Sequence, residues 1–169
     1  AVKKFAGPVV LDSTLKALHD KGYFLIGNIG RLTEQKGFVY FIDAMPDILK
    51  RHPKTKFIIV GAGELEQSLK ERVARRHLEQ DVVWLGFRKD VQNVMSQLDL
   101  VVLSSLWEGL PLTPIEAFSV GKTVVGTAVD GTVEIIDDGV NGFLIPPRDN
   151  ISIADKCVEL AKDRDRLDH

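Results

Sequence analysis

The sequence predicts an α/β protein whose single domain is a doubly wound parallel sheet of the Rossmann-like class. Three observations favour this class. Six short apolar runs rich in β-branched residues recur along the 169-residue chain, segments of helical periodicity separate them, and the links are short. The runs are continuously apolar, which favours strands covered by helices on both faces. The predicted strands are 23–29, 56–60, 82–85, 100–103, 123–126 and 142–145.

Four helical segments are predicted from apolar residues spaced three and four positions apart. They cover 38–49, 65–73, 91–98 and about 152–162. The first ends at His52-Pro53, because proline cannot continue a helix. Asp90 precedes the third and is its predicted N-cap, since a short carboxylate side chain can accept from the free N–H groups of a helix start. The first 21 residues follow the pattern poorly, so we expect a connector over 1–21 and the folded domain over 22–169.

The composition excludes several classes of protein. A net charge of −2 and a pI near 6.1 give no electrostatic reason for non-specific binding to nucleic acid or to an anionic membrane. No apolar run approaches the ~18–20 residues of a membrane span, and no signal segment opens the chain. Cys157 is the only cysteine, so an internal disulfide is impossible, and its helical neighbours Val158 and Ala161 assign it to the core. We expect a cytoplasmic protein.

The loop after the first predicted strand, GRLTEQKG at 30–37, combines a tight turn with two cations. Gly30 allows the turn, Arg31 emerges at the carboxyl end of the strand, and Lys36 lies at or near the next helix start. The N–H groups and dipole of a helix start also favour anions, so Arg31 and Lys36 form a candidate diphosphate site. Residue types alone leave an equal alternative, in which both are solvated surface charges.

The segment after the fourth predicted strand, WEGLPLTPIEA at 107–117, carries two carboxylates. Glu108 is expected in the loop at the strand tip, and Glu116 about one turn inside the next helix. Unpaired N–H groups are expected at that helix start, on Gly109, Leu110 and Leu112. One carboxylate suits sugar hydroxyls, the amides suit phosphate, and the second carboxylate suits ribose hydroxyls. The alternative is that Glu116 is simply an exposed residue of a first helical turn, where glutamate is common.

The loop after the third predicted strand, GFRKDV at 86–91, is a third candidate. Its backbone and short side chains could line a slot for a nucleotide base, with Val91 at the end of the segment. We assign Phe87 to core packing in preference to base stacking.

Together these motifs resemble the C-terminal, donor-binding domain of glycosyltransferase family 4 (group 1), which has the GT-B fold. The resemblance covers roughly residues 22–162 and rests on the order and spacing of five segments. They are GRLTEQKG at 30–37, VGAGE at 60–64, LGF at 85–87, SSLWEGLPLTPIEA at 104–117 and DGTVEIIDDGVNGFLIPPRD at 130–149.

The resemblance implies a retaining glycosyltransferase that uses a nucleotide-diphosphate sugar and needs neither a metal nor another cofactor. Arg31 and Lys36 match the pair that neutralises the donor diphosphate. Glu108 matches the carboxylate that contacts the transferred sugar and supports the transition state, and Glu116 matches the one that binds the ribose. The catalytic candidates are thus Arg31, Lys36 and Glu108. The other donor-binding positions are Gly30, Phe87, Val91, Gly109, Leu110, Leu112 and Thr113.

The resembling enzymes have a further N-terminal domain that supplies the acceptor site. We therefore expect this chain to be the C-terminal half of a longer enzyme of polysaccharide or glycoconjugate biosynthesis, and to be inactive alone. Its expected partners are the nucleotide sugar and the N-terminal domain, with no nucleic acid; peripheral membrane association of the whole enzyme stays open. UDP, GDP and ADP donors are not distinguished. Two departures from the family pattern, Thr123 and Thr132-Val133, stand where proline is usual.

Three rival functions fit the motifs less well. A nicotinamide dehydrogenase needs G-x-G-x-x-G after its first strand, whereas GAG at 61–63 comes one strand late and lacks the third glycine. A GT-B-type sugar-nucleotide epimerase is the nearer alternative, and the paired Glu108 and Glu116 argue against it. A non-catalytic donor-binding partner subunit is the third alternative, which the intact Arg31 and Lys36 disfavour.

Overall fold

The structure is a computed structural model that describes residues 11–167. The strands are β1 Phe24–Ile29, β2 Thr55–Val60, β3 Val82–Gly86, β4 Leu100–Leu103, β5 Val124–Thr127 and β6 Phe143–Ile145. The helices are α1 Ser13–Asp20, α2 Phe38–Arg51, α3 Glu66–Arg75, α4 Val91–Ser96, α5 Thr113–Ser119, α6 Asp130–Val133 and α7 Asn150–Lys162. Short 3-10 helices span Glu34–Lys36 and Arg164–Leu167.

The six strands form one parallel sheet in the order β3-β2-β1-β4-β5-β6. The predicted fold class is confirmed, and every predicted strand lies within one residue of an observed one. The chain runs from β1 outward to β3 and then crosses to β4 on the other side of β1. The loops after β1 and β4 therefore diverge from a topological switch point, and ligands of such sheets bind there.

The core has two parts, one on each face of the sheet. Along β1, Phe24 and Ile26 belong to the cluster covered mainly by α2 and α7, whereas Leu25 belongs to the cluster covered by α1, α4 and α5. Successive strand side chains point to opposite faces, so a continuous apolar run is needed when helices cover both. This explains the unalternating strands of the sequence.

Part of the segment expected to be a connector is a helix. From Ser13 to Asp20 the chain forms α1, whose first N–H groups are capped by Asp12, with Oδ1 accepting from Thr14 N at 2.9 Å and Leu15 N at 3.0 Å. Leu15 is fully buried. Residues 1–10 of the expected connector lie outside the described residues.

The predicted N-cap of α4 is wrong in its chemistry. Asp90 occupies the N-cap position but makes no cap hydrogen bond, because both of its carboxylate oxygens accept from Arg88, each at 2.8 Å. A guanidinium offers two parallel donors to a carboxylate and outcompetes the amides of a six-residue helix.

At Thr123, where a proline is usual, the hydroxyl donates to the carbonyl of Leu167 at 3.1 Å.

We expect the Cys157 thiol to be inert in the folded protein. It is fully buried in α7, and burial raises its pKa to about 12, so only on the order of one thiol in 10⁴ would be ionised at pH 8. Ellman's reagent should react at once in about 6 M guanidinium chloride and over hours without it. Equal rates in the two conditions would show that the thiol is not in the core.

Candidate functional site

The site is built where the loops after β1 and β4 touch. The amide of Leu106 donates to the carbonyl of Gln35 at 2.8 Å. The hydroxyl of Ser104 donates to the carbonyl of Lys36 at 2.9 Å, and accepts from Nδ2 of Asn28 in β1 at 2.9 Å. Asn28 and Ser104 are both buried. A polar chain therefore ties the strand, the 3-10 helix and the loop after β4 together within the core.

Gly37 allows this close approach. It has a left-handed backbone, with φ of 61°, and joins the 3-10 helix to α2. A Cβ at this position would collide with the carbonyl oxygen of Ser104. Only glycine combines the left-handed conformation with that contact, because it has no side-chain carbon.

Lys36 and Glu108 form a partly buried ion pair at the switch point. The Lys36 ammonium lies 3.0 Å from Oε1 and 3.1 Å from Oε2 of Glu108. The Glu108 side chain is 4% exposed and that of Lys36 is 20% exposed. Lys36 is thus not the solvated surface charge of the alternative interpretation. The sequence separates the two residues by 72 positions.

Two further groups donate to the Glu108 carboxylate. The side-chain amide of Gln35 donates to Oε1 at 3.1 Å, and also to the carbonyl of Trp107 at 3.1 Å. The hydroxyl of Ser105 donates to Oε2 at 3.4 Å. A carboxylate so removed from water is stable only when donors surround it. Gln35 and Ser105 supply part of that compensation.

Arg31 lies at the same rim but is exposed, and its side chain makes no hydrogen bond or ion pair to residues 11–167. It lines two open clefts. One, of about 190 Å³, contains Gly30, Phe87 and Val91; the other, of about 400 Å³, contains Lys36. The two predicted phosphate-binding cations therefore share a cleft, and Arg31 stands where the two clefts meet.

The assignment of Phe87 to the core is wrong. The ring is 71% exposed and lines the smaller cleft. Gly86, the last residue of β3, has a φ of 69°, and the left-handed turn directs the chain away from the sheet before Phe87. The apolar pattern predicts burial for a residue directly after a strand, but it does not reveal the left-handed turn at Gly86.

Arg88 is a site residue that the sequence did not identify. Beyond its two bonds to Asp90, its Nη1 donates to Oδ2 of Asp12 at 3.0 Å. The hydrogen bonds from Arg88 hold the pKa of the Asp90 carboxyl below its usual range. Arg88 also lines the smaller cleft. These hydrogen bonds from Arg88 to Asp90 and Asp12, which we call the Arg88 clamp, therefore fix the wall of that cleft to the start of α1.

Glu116 is the fourth residue of α5, at the same edge of the sheet. Its carboxylate makes no hydrogen bond or ion pair to the described part of the chain, and burial raises its pKa. A partly desolvated carboxylate without a donor of its own is suited to accept from ligand hydroxyls. It is not an ordinary exposed first-turn residue.

The remaining predicted positions lie along the loop before α5. Gly109, Leu110 and Leu112 are exposed, and Thr113 is half-buried at the first position of the helix. The N–H groups of Gly109, Leu110 and Leu112 have no backbone or side-chain acceptor between residues 11 and 167. Trp107, which the sequence analysis did not select, is 52% exposed and lines the larger cleft. The loop thus presents both amides and apolar side chains to the solvent.

Residues 11–167 contain neither a candidate membrane span nor a candidate metal-binding cluster. No helix there is both long enough and apolar enough to cross a bilayer. No three or more His, Cys, Asp or Glu side chains are grouped there so that they could hold a metal ion.

Comparison with known proteins gives a family match. The model of the glycosyl transferases group 1 family matches residues 14–169. The lipopolysaccharide core biosynthesis mannosyltransferase LpsB of Rhizobium meliloti (strain 1021) is 32% identical over 173 residues, covering 98% of this chain and 49% of that protein. The chain spans from 26% to 49% of the length of the first curated relatives it matches.

Solved structures share the fold. Alr3699/HepE of Anabaena, in complex with UDP-glucose, matches with a TM-score of 0.82 and 30% identity, covering 94% of this chain and 45% of that one. The C-terminal domain of a glycosyl transferase group 1 family protein (LpcC) from Francisella tularensis matches with a TM-score of 0.80 and 27% identity, covering 98% of this chain and 88% of that one. The six-stranded Rossmann-like sheet is therefore that of GT-B glycosyltransferase domains.

We expect Gly37→Ala to lower the free energy of unfolding by at least about 2 kcal/mol, because it adds a collision to the cost of a left-handed alanine. Gly121→Ala is the matched control, since Gly121 has a φ of 73° and open space around its Cβ position. It should lose only about 1 kcal/mol. Urea unfolding measures both. Equal losses would show that the two loops do not meet as described.

Glu116→Gln should stabilise the protein increasingly as the pH rises. Because burial raises the folded-state pKa of Glu116 above its ordinary value, the folded protein holds that proton more tightly than the unfolded chain. The free energy of unfolding of the wild type therefore falls as the pH rises from the unfolded-state pKa of Glu116 through its folded-state pKa. The glutamine variant cannot ionise and lacks that loss. Urea unfolding at about pH 4.5 and pH 7 should show a larger gain at pH 7. A gain independent of pH would contradict the desolvation of Glu116.

Proposed function

The chain belongs to the glycosyl transferases group 1 family, and we propose that it binds the nucleotide-diphosphate sugar donor at the β1/β4 switch point. Together with a second domain, it transfers the sugar to an acceptor with retention of configuration. Within the family we assign it to the GT4 type and to the C-terminal position of a GT-B enzyme. The observation that carries the proposal is the Lys36–Glu108 pair beside Arg31.

The two cations suit the departing diphosphate. Transfer breaks the bond between the anomeric carbon and a diphosphate oxygen, and joins that carbon to the acceptor oxygen, whose proton is released. The departing diphosphate gains negative charge as the bond breaks. Arg31 can grip two phosphate oxygens, whereas Lys36 acts as a point charge. Cations at the diphosphate stabilise that charge more in the transition state than in the ground state, and this difference accelerates transfer.

The two carboxylates suit the two sugars of the donor. Glu108, held beside the proposed diphosphate site, can accept from hydroxyls of the transferred sugar. Glu116 has no donor among residues 11–167 and is partly shielded from water, which suits the ribose hydroxyls. The Phe87–Val91 cleft, joined to the phosphate cleft by Arg31, suits the base. Together these groups offer a contact for each part of a nucleotide-diphosphate sugar: base, ribose, diphosphate and transferred sugar.

The proposal includes no metal and no other cofactor. Arg31 and Lys36 supply the positive charge that a divalent cation would otherwise bring to the diphosphate. The proposed second domain supplies the acceptor site, so this chain alone should bind the donor without transferring the sugar. The fraction of its relatives that the chain spans supports this. The Anabaena structure with UDP-glucose supports a UDP-sugar as the first donor to test. A cytoplasmic location is part of the proposal, from the single cysteine and the lack of a long apolar run.

Arg31→Ala should weaken nucleotide binding at least tenfold, which corresponds to about 1.4 kcal/mol. Calorimetry or ligand-observed NMR with UDP, GDP and ADP should find a dissociation constant on the order of 1 mM for at least one of them. EDTA should leave it unchanged.

Arg75→Ala is the matched control, because Arg75 is exposed at the far end of α3 and has no ion pair within residues 11–167. It should bind like the wild type. If no nucleoside diphosphate binds, or if Arg31→Ala binds normally, the donor site is not here.

A further inference from the structure

Glu108 depends on a cation that the proposed function also assigns to the ligand. Both Glu108 oxygens lie within 3.1 Å of the Lys36 ammonium. Glu108 occupies at most two of the three N–H donors of the ammonium, so a bound diphosphate can accept from the remainder and then shares the positive charge of Lys36 with Glu108. A carboxylate that is 4% exposed is costly to bury without donors. Neutral donors that do not contact the phosphate would help to hold this carboxylate in place while Lys36 serves both anions.

Gln35 is placed to do this. Its amide nitrogen has two hydrogens, and its acceptors are Oε1 of Glu108 and the backbone carbonyl of Trp107, each at 3.1 Å. One side chain thus donates hydrogen bonds both to the Glu108 carboxylate and to the backbone carbonyl of the preceding residue. Ser105 donates to the other oxygen at 3.4 Å, a longer and weaker contact. Gln35 is therefore the stronger of the two neutral donors.

The backbone of Gln35 is fixed independently of its side chain. Its carbonyl accepts from the amide of Leu106 at 2.8 Å, and the next residue's carbonyl accepts from Ser104. A change of the Gln35 side chain therefore leaves the contact between the two loops in place. It removes only the grip on Glu108 and on the Trp107 carbonyl.

We propose that Gln35 is a positioning residue, whose side-chain amide holds the Glu108 carboxylate in place for the transferred sugar while Lys36 is engaged by the diphosphate. This inference rests on the proposed function. Gln35 acts through Glu108, so it affects the part of the donor that Glu108 contacts. Recognition of the sugar depends on Gln35, and recognition of the diphosphate does not.

The test compares UDP with UDP-glucose, whose difference is the sugar. Gln35→Met keeps the length of the side chain but has no N–H donor. The bond that is lost ends on a charged oxygen, and such charge-assisted hydrogen bonds are stronger than neutral ones. We expect the dissociation constant for UDP-glucose to rise at least fivefold and that for UDP to change less than twofold. Gln35→Glu, which places a second carboxylate beside Glu108, should lose more of the UDP-glucose affinity.

The matched control is Gln67→Met on α3, where an exposed glutamine makes the same kind of bond to Glu71 at 3.3 Å. It should change neither affinity. Thermal unfolding verifies that each variant is folded, and Gln35→Glu provides the same comparison if Gln35→Met is not. If UDP binds through Arg31 but both Gln35 variants bind UDP-glucose like the wild type, or lose UDP and UDP-glucose equally, the positioning role is wrong and the proposed function stands. If neither UDP, GDP nor ADP binds the wild type, the proposed function itself fails.

Discussion

The site depends on keeping one carboxylate charged where water hardly reaches it. Glu108 is stable there because Lys36, Gln35 and Ser105 surround it with donors, and two of the three come from a different loop. That compensation requires the loops after β1 and β4 to stay in contact. Gly37 makes the contact sterically possible, and the buried Asn28–Ser104 bond anchors it to the strands. The Lys36–Glu108 ion pair and the contact between the two loops therefore depend on each other.

The doubly wound topology explains why these groups meet. In the order β3-β2-β1-β4-β5-β6, β1 and β4 are neighbours although the chain visits β2 and β3 between them. Their following loops emerge at the same edge, because the strands are parallel. The Arg88 clamp, with Asp90 on one side and Asp12 on the other, then secures the wall beside Phe87. Rigid strands and the bonds between the loops hold Lys36 and Glu108 in place, so less free energy is lost in ordering these two side chains on binding.

The role proposed for Glu116 and the stability of the fold make opposite demands on this residue. Burial raises the pKa of its carboxyl, and no donor in the described part of the chain offsets the loss of water. Such a group destabilises the folded protein near neutral pH, whereas a hydroxyl-bearing ligand would supply the bonds it lacks. Phe87 and Trp107 show a related tension, since both leave large apolar surfaces exposed beside the clefts. The partly buried carboxylate and the exposed aromatic rings do not favour the folded state of the free protein, but both suit contact with a ligand.

The sequence by itself determined the strands, the fold class and the family resemblance, because apolar periodicity and motif order are local properties of the chain. It also placed Lys36 and Glu108 on loops that follow strands. Only the tertiary structure decided that the two form an ion pair, since their separation of 72 positions says nothing about distance until the sheet order is known. The same holds for Gln35, whose acceptors lie on another loop, and for the bond from Arg88 to the distant Asp12. It also holds for Phe87, whose exposure follows from the left-handed turn at Gly86. Asn28 is a polar residue within an apolar predicted strand, and this exception in the sequence pattern indicates a buried hydrogen bond. Its partner, Ser104, is known only from the tertiary structure.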